Sequence, residues 1–273
     1  MKTFRQRRAI LAGVTLALAG LLTAAWWVAR AMLRPVDLYS GATLLVLLAA
    51  LALFNARKKL PFLPLGGASA WLQAHIYAGW LAVLVFGLHT GLRGPHGPLG
   101  LALWFVFGTV AASGVFGLWL SRWLPPRLAH SGESLIYEQI PRLRHQLEGE
   151  AARLVHLAET EAGSSTLADF HRQVLAPYFA HRPAWYHPLA TDDGMHHRVD
   201  VELAALRRYL NDRETAIADQ LAELAEAKRN LDFQFSGQRL LKLWLFAHLP
   251  LTYALVVLVG AHVWLVLQYT PRL

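Results

Sequence analysis

Five long stretches of this chain contain no charged residue at all, and each is expected to lie in an environment without water. They cover approximately residues 9–29, 38–56, 69–91, 99–121 and 243–267. A helix needs about 20 predominantly apolar residues to cross the roughly 30 Å hydrocarbon core of a bilayer. The sequence therefore predicts an all-α integral membrane bundle of five spans, which lies in contact with membrane lipid.

The charged residues are distributed unevenly, and their distribution excludes nucleic acid as a partner. The formal net charge is +8, but 17 of the 18 acidic residues lie between Arg122 and Lys242, together with 15 basic ones. The rest of the chain has 11 Lys and Arg and one acidic residue, Asp37. These basic residues flank the apolar stretches, which is where membrane topology places them.

The same basic residues predict an orientation. Near the ends of the apolar stretches, eleven Lys and Arg would lie on one side of the membrane, and four, Arg30, Arg34, Arg93 and Arg272, on the other. The excess of positive charge marks the cytoplasmic side. The first stretch has a basic start like a signal peptide, but its 21 residues exceed the usual ~7–15. We therefore expect an uncleaved span in a multi-pass protein of the inner (cytoplasmic) membrane, with the N-terminus in the cytoplasm and the C-terminus outside.

Four of the thirteen histidines lie within predicted spans, and they repeat one spacing. His75 and His89 lie in the third stretch, His248 and His262 lie in the fifth, and thirteen residues separate the members of each pair. Fourteen steps of a helix return to within ~40° of the same face, about 21 Å further along the axis. Stretches three and five should run parallel because one span separates them. We therefore expect His75 to face His248 near the cytoplasmic surface, and His89 to face His262 near the outer surface.

Two facing imidazoles at each level favour two b-type haems, with one histidine from each helix on either side of the iron. Zinc fits less well, because two histidines leave its usual tetrahedral ligand set incomplete, whereas a porphyrin supplies four nitrogens itself. The chain has no cysteine, which excludes covalently attached c-type haem and cysteine-ligated clusters. The alternative is that each imidazole hydrogen-bonds a nearby carbonyl or lines a wet cavity, as polar residues in spans can. The candidate cofactor and iron ligands are His75, His89, His248 and His262, and no catalytic residue is indicated.

The two H-x13-H helices resemble those of the dihaem b-type membrane cytochromes. These are the ferric-reductase-like and cytochrome b561-like transmembrane families and, more distantly, the cytochrome b core of quinol–cytochrome c reductases. The stretches "GLHTGLRGPHGPLG" and "SGVFGLWLSRWLPPRLAHSGESLIYEQIPRLRHQL" also resemble bacterial membrane cytochrome b proteins. The resemblance covers spans three to five and implies haem ligation by the same four histidines. Unlike the ferric reductases, this chain has no G-x-G-x-x-G after a strand and no room for a flavin and nicotinamide domain, so electrons should arrive from a quinol or another subunit.

A soluble helical insert is predicted between spans four and five, dividing the chain into 1–122, 123–238 and 239–273. Apolar residues recur every seven positions and predict one helix over about 199–232, and a similar pattern follows residue 140, so the two should pack as an antiparallel coiled-coil hairpin on the cytoplasmic side. The positions concerned are Leu203, Leu210, Ile217, Leu224 and Leu231 in the later arm, and Ile140, Leu143, Leu147, Leu154 and Leu157 in the earlier one.

A histidine-rich segment connects the two arms of this insert. It contains His181, His187, His196 and His197 together with Asp192 and Asp193. Metal binding is one interpretation, although no regular ligand spacing is present. A docking surface for a partner subunit is the favoured one, and a plain spacer is an alternative that the sequence does not separate from it.

These features together predict an electron-transfer protein rather than a self-contained enzyme. Iron held by two histidines has no open position for a substrate, so the haems should act as carriers between the two membrane faces. Quinol oxidation or quinone reduction at a haem edge is the candidate chemistry, and the candidate partner is a redox subunit such as a periplasmic c-type cytochrome. The alternatives are a haem-free membrane scaffold and a haem-based sensor, each using the insert as a docking arm.

Overall fold

The computed structural model describes residues 4–55, 67–130, 137–162, 165–189 and 194–269, and the regular elements within these ranges are all helical. The chain divides into two compact units. Unit 1 contains residues 1–118 and 245–273, and unit 2 contains residues 119–244. The α-helices in chain order are α1 (Phe4–Ala31), α2 (Val36–Ala52), α3 (Ala68–Thr90), α4 (Gly97–His130), α5 (Ile140–Ala162), α6 (Ser165–Phe170), α7 (Ala176–Ala180), α8 (Gly194–Leu206) and α9 (Asp212–Tyr269). Shorter elements are the 3-10 turns Leu53–Asn55, Tyr137–Gln139, His187–Leu189 and Arg207–Tyr209, and the π-helical segment His171–Leu175.

Four helical stretches are long and apolar enough to cross a membrane: Arg8–Ala31, Ser69–Thr90, Gly97–Leu128 and a window within Asp212–Tyr269. Their outward faces carry large apolar side chains, among them Leu16 and Phe105, which are 73% and 67% exposed. A surface of this kind is unfavourable in water and indicates a membrane protein.

The second predicted span corresponds to α2, which is a shorter apolar helix. It has 17 residues, or roughly 26 Å at 1.5 Å per residue. The α-helix ends at Ala52, and a 3-10 turn follows over Leu53–Asn55. The predicted stretch continues to residue 56, which lies outside the described residues, as do Arg57, Lys58 and Lys59.

Helix α3 ends in a turn that its sequence encodes. Gly91 adopts a left-handed conformation with φ +59°, and the amide of Leu92 donates to the carbonyl of Gly87 at 3.1 Å. A glycine at this position satisfies the last carbonyls of the helix without steric cost. Helix α3 therefore ends at Thr90, one residue beyond His89.

Unit 2 is a small helical domain with its own apolar core, not a two-helix hairpin. The two predicted arms are not the whole core. Helices α6 and α7 and the π-helical segment between them also contribute, burying Leu167, Phe170, Leu175 and Tyr178. Buried residues from the arms themselves are Ala151, Leu154, Val155, Ala158, Val199, Leu203, Ala218, Leu221 and Ala225.

The predicted continuous helix over about 199–232 is wrong. Helix α8 ends at Leu206, a 3-10 turn occupies Arg207–Tyr209, and α9 begins at Asp212. A reciprocal cap starts the new helix: the Glu214 amide donates to Asn211 Oδ1 at 2.9 Å, and the Asn211 amide donates to Glu214 Oε2 at 2.8 Å. This arrangement is a capping box. The heptad spacing persists across the break because residues on both sides of it face the same core.

The histidine-rich segment contributes to the packing of unit 2 through His196. This side chain is buried, with Nδ1 3.1 Å from the Tyr178 hydroxyl and Nε2 3.4 Å from carboxylate oxygens of both Asp200 and Glu226. A hydrogen bond from the Arg229 guanidinium holds the pKa of the Glu226 carboxyl below its usual value. Among the described residues, no group of three or more His, Cys, Asp or Glu could hold a metal ion. Asp192 and Asp193 lie outside the described residues.

Candidate functional site: two histidine levels in unit 1

His89 of α3 and His262 of α9 lie opposite each other at what we name the 89/262 level. Their ring centres are 6.4 Å apart, and the ring planes are inclined at 78°. Helix α2 also reaches this level, because Ser40 Oγ lies 3.2 Å from His89 Nδ1. Three helices therefore meet around one pair of imidazoles.

The separation of these two rings can be compared with that of two imidazoles bound to one metal ion. A metal–imidazole bond is about 2.0–2.1 Å long, and the ring centre lies roughly 1.1 Å behind the bonded nitrogen, so opposed ligands have centres roughly 6.3 Å apart. The observed 6.4 Å equals this value within the precision of the comparison. The ring separation is therefore compatible with two imidazoles that bind one metal ion, and also with an edge-to-face contact between the two rings.

His75 of α3 and His248 of α9, each fourteen residues before the histidine of the same helix at the 89/262 level, form what we name the 75/248 level. The His75 ring packs against Phe54, with ring centres 4.8 Å apart. His248 Nδ1 lies 3.1 Å from Ser113 Oγ on α4. Nδ1 of His75 is buried and makes no hydrogen bond of ordinary geometry within the described residues, although the Leu51 carbonyl lies close to the ring. A buried nitrogen of this kind is energetically costly unless something binds it.

The order of these contacts fixes the relative directions of three helices within unit 1. Ala82 of α3 and Leu255 of α9 pack in one cluster, and seven residues later on each helix His89 lies opposite His262, so the two stretches run parallel. Helix α2 runs antiparallel to α3, because Ser40 near its start meets His89, whereas Phe54 just past its end meets His75. The segment from Ser40 to Phe54 therefore extends along α3 from one level to the other, although α2 is shorter than the four membrane-length helices.

A layer of packed apolar side chains separates the two levels. Ala82 lies midway between His75 and His89, Leu255 lies midway between His248 and His262, and both are buried. They pack in one cluster with Leu44, Val85 and Phe107. The ring of Phe107 stacks on that of Phe86 with centres 4.0 Å apart.

Two Ser-Gly pairs lie beside the site, and each is close to one histidine. Ser40 and Gly41 meet the ring of His89, and Ser113 and Gly114 meet the ring of His248. The signal in the sequence is weak, because a serine in an apolar helix commonly bonds the carbonyl four residues earlier. Ser40 does so as well, donating to the Val36 carbonyl at 2.7 Å.

The four histidines can offer two imidazoles at each level and no other protein ligand. Since the described residues contain no larger His, Cys, Asp or Glu group, a metal bound here would need its remaining ligands from a cofactor. A comparison with known proteins finds no family model, curated protein or solved structure that matches this chain. The site is therefore interpreted from its own geometry.

Proposed function

We propose that this chain is a dihaem membrane cytochrome b that carries electrons between the two faces of the membrane. His89 and His262 would hold one haem b, and His75 and His248 would hold the other. The observation that carries the proposal is the 6.4 Å separation of the His89 and His262 ring centres. A second histidine pair lies fourteen residues earlier on the same two helices. The proposed relatives are the ferric-reductase-like and cytochrome b561-like families.

The residues around the histidines are suited to an electron carrier. When bound, each haem would supply a one-electron couple whose iron is closed to oxygen and substrate by its two imidazoles. The residues of the protein orient the imidazoles through Ser40 and Ser113 and exclude water between the levels through Ala82, Val85 and Leu255. A dry, rigid surrounding lowers the reorganisation that accompanies a change of charge.

Five spans are part of the proposal, with α2 as the second. Its contacts support this topology, because the segment Ser40–Phe54 reaches both histidine levels. The parallel course of α3 and α9 also requires an odd number of crossings between them, which α4 provides. Together with the distribution of basic residues, this topology supports the proposal that the N-terminus and unit 2 lie on the cytoplasmic side of the inner membrane. Electrons would come from the quinone pool or a cytoplasmic donor and leave to a redox partner on the other face.

The test is haem content per chain in purified protein with and without individual histidines. Wild-type protein is expected to bind two haems b. His89→Ala and His248→Ala should each lose one haem, and the two remaining spectra should differ, because the variants empty different levels. The matched control is His156→Ala, whose side chain is 76% exposed in unit 2 and which should keep both haems.

Pairing can be tested by combining substitutions. A His89→Ala and His262→Ala double variant should lose no more haem than either single variant, whereas His89→Ala with His248→Ala should lose both haems. Wild-type protein that stays colourless after haem supplementation would overturn the proposal and favour a haem-free scaffold. Stoichiometric carbon monoxide binding to the reduced protein would instead favour a sensor, because it requires an open iron position.

A further inference from the structure

We propose that Ser40 and Gly41 of α2 are positioning residues that hold His89 in the tautomer protonated on Nδ1, with Nε2 bare and available to iron. The expected effect on a bound haem rests on the proposed function. The contacts from which the tautomer of His89 is inferred do not. It assigns a role to α2, which contributes no histidine to either level.

The tautomer of His89 follows from the fact that the Ser40 hydroxyl has only one proton to donate. Ser40 Oγ lies 2.7 Å from the Val36 carbonyl and 3.2 Å from His89 Nδ1. A carbonyl oxygen can only accept, so the hydroxyl proton is used in the shorter contact. Nδ1 of His89 must then donate to Ser40, which leaves Nε2 as the unprotonated nitrogen of a neutral imidazole.

Gly41 provides the space that the ring occupies. A Cβ added at Gly41 would lie 3.0 Å from His89 Cε1 and 3.4 Å from Nδ1. The ring therefore lies directly against the backbone of α2, and a methyl group at position 41 would require the ring to shift by a few tenths of an ångström. The second Ser-Gly pair is less tight, since a Cβ at Gly114 would lie 4.0 Å from His248 Cε1, an ordinary contact distance.

The Nδ1–H donor has a predictable effect on a bound metal. A hydrogen bond from the second ring nitrogen orients the imidazole and makes its ligating nitrogen more basic. A more basic ligand stabilises the ferric state relative to the ferrous state. The Ser40 hydrogen bond should therefore lower the midpoint potential of the 89/262 haem and leave that of the 75/248 haem unchanged.

The experiment is a redox titration of purified holoprotein, resolved into its two haems, for Ser40→Ala and Ser40→Thr. Ser40→Ala should raise the reduced-to-oxidised ratio of one haem several-fold at fixed potential, where tenfold corresponds to about 59 mV for one electron. Ser40→Thr keeps a hydroxyl and should restore the wild-type potential. Ser113→Ala should affect the other haem and leave the Ser40-dependent one at its wild-type potential.

Gly41→Ala tests the position of the ring. It should weaken haem binding at the 89/262 level by roughly 10–100-fold, as loss of ligand-orienting partners does. The matched control is Gly20→Ala on α1, where an added Cβ meets nothing within 4 Å and both haems should be retained with unchanged potentials.

A second readout is independent of haem. The ¹⁵N chemical shifts of labelled histidine in haem-free protein, assigned by comparison with His89→Ala, should show His89 protonated on Nδ1 in the wild type and a mixture of tautomers in Ser40→Ala. Unchanged haem potentials and an unchanged His89 tautomer in Ser40→Ala would overturn the inference. Two haems bound to the same protein would still support the proposed function. Absence of haem from the wild type would defeat the proposed function, and the ¹⁵N shifts would still decide the role of Ser40.

Discussion

At the scale of single residues, unit 2 buries a cation that its surroundings must neutralise. Lys228 is 1% exposed and forms an ion pair with Asp232 one turn later on α9. The Lys228 ammonium also lies 4.3 Å from the centre of the Tyr178 ring, and Asp232 receives a second ion pair from Arg144 at 3.1 Å. Burying charges costs several kcal/mol per ion, which is recovered only when the partners stay in place.

The two partners of this ion pair should differ in what their removal costs. Asp232→Leu leaves both Lys228 and Arg144 without their carboxylate and should lower the free energy of unfolding by about 3–5 kcal/mol, the usual effect of breaking a buried pair. Lys228→Met should cost much less, because Asp232 keeps Arg144. Thermal or denaturant unfolding of the purified protein measures both, with Arg198→Ala at an exposed pair as the control. Equal losses for the two substitutions would contradict this account.

At the scale of elements, the boundary between α8 and α9 shows how local chemistry overrides a heptad pattern. Residues Arg207–Tyr209 form a 3-10 turn, and the segment Asn211–Glu214 closes the capping box that starts α9. The sequence N-D-R-E is a start signal that can be recognised without a structure. The apolar heptad continued through it, because Leu203 and Ile217 both pack on the core of unit 2.

Removal of the cap should loosen the start of α9 while the rest of the helix stays formed. Asn211→Ala loses the side-chain acceptor for the Glu214 amide and should cost about 1 kcal/mol. Faster hydrogen exchange is expected at the amides of Glu214 and Thr215, measured by mass spectrometry on the purified protein. Asn211→Asp keeps the acceptor and should exchange like the wild type. Wild-type protection in Asn211→Ala would show that packing alone holds this boundary.

At the scale of the whole molecule, the number of crossings depends on α2. Four helices are long and apolar enough to span a bilayer, and α2 is shorter, with 17 residues. If α2 crosses, the turns that follow α1 and α3 lie on the same side of the membrane. If α2 does not cross, these two turns lie on opposite sides.

A pair of single cysteines distinguishes these topologies directly, because the natural chain has none. Leu33 and Leu92, in the turns after α1 and α3, are 94% and 89% exposed. With five spans, Leu33→Cys and Leu92→Cys should both react with a membrane-impermeant maleimide added outside intact cells. Tyr209→Cys in unit 2 should react only after permeabilisation. Opposite accessibility of positions 33 and 92 would rule out the five-span topology.

The sequence by itself determined the properties that depend on local periodicity and hydrophobicity. The charge-free stretches predicted the long apolar helices, and the H-x13-H spacing placed two histidines on one face of α3 and of α9, because a helix repeats every 3.6 residues whatever surrounds it. Only the tertiary structure decided which side chains approach those histidines. The 6.4 Å separation of the His89 and His262 rings, the contact of Ser40 with His89, and the multi-helix core of unit 2 all join residues far apart in the chain. Such contacts depend on how whole helices pack, and no local pattern specifies that packing.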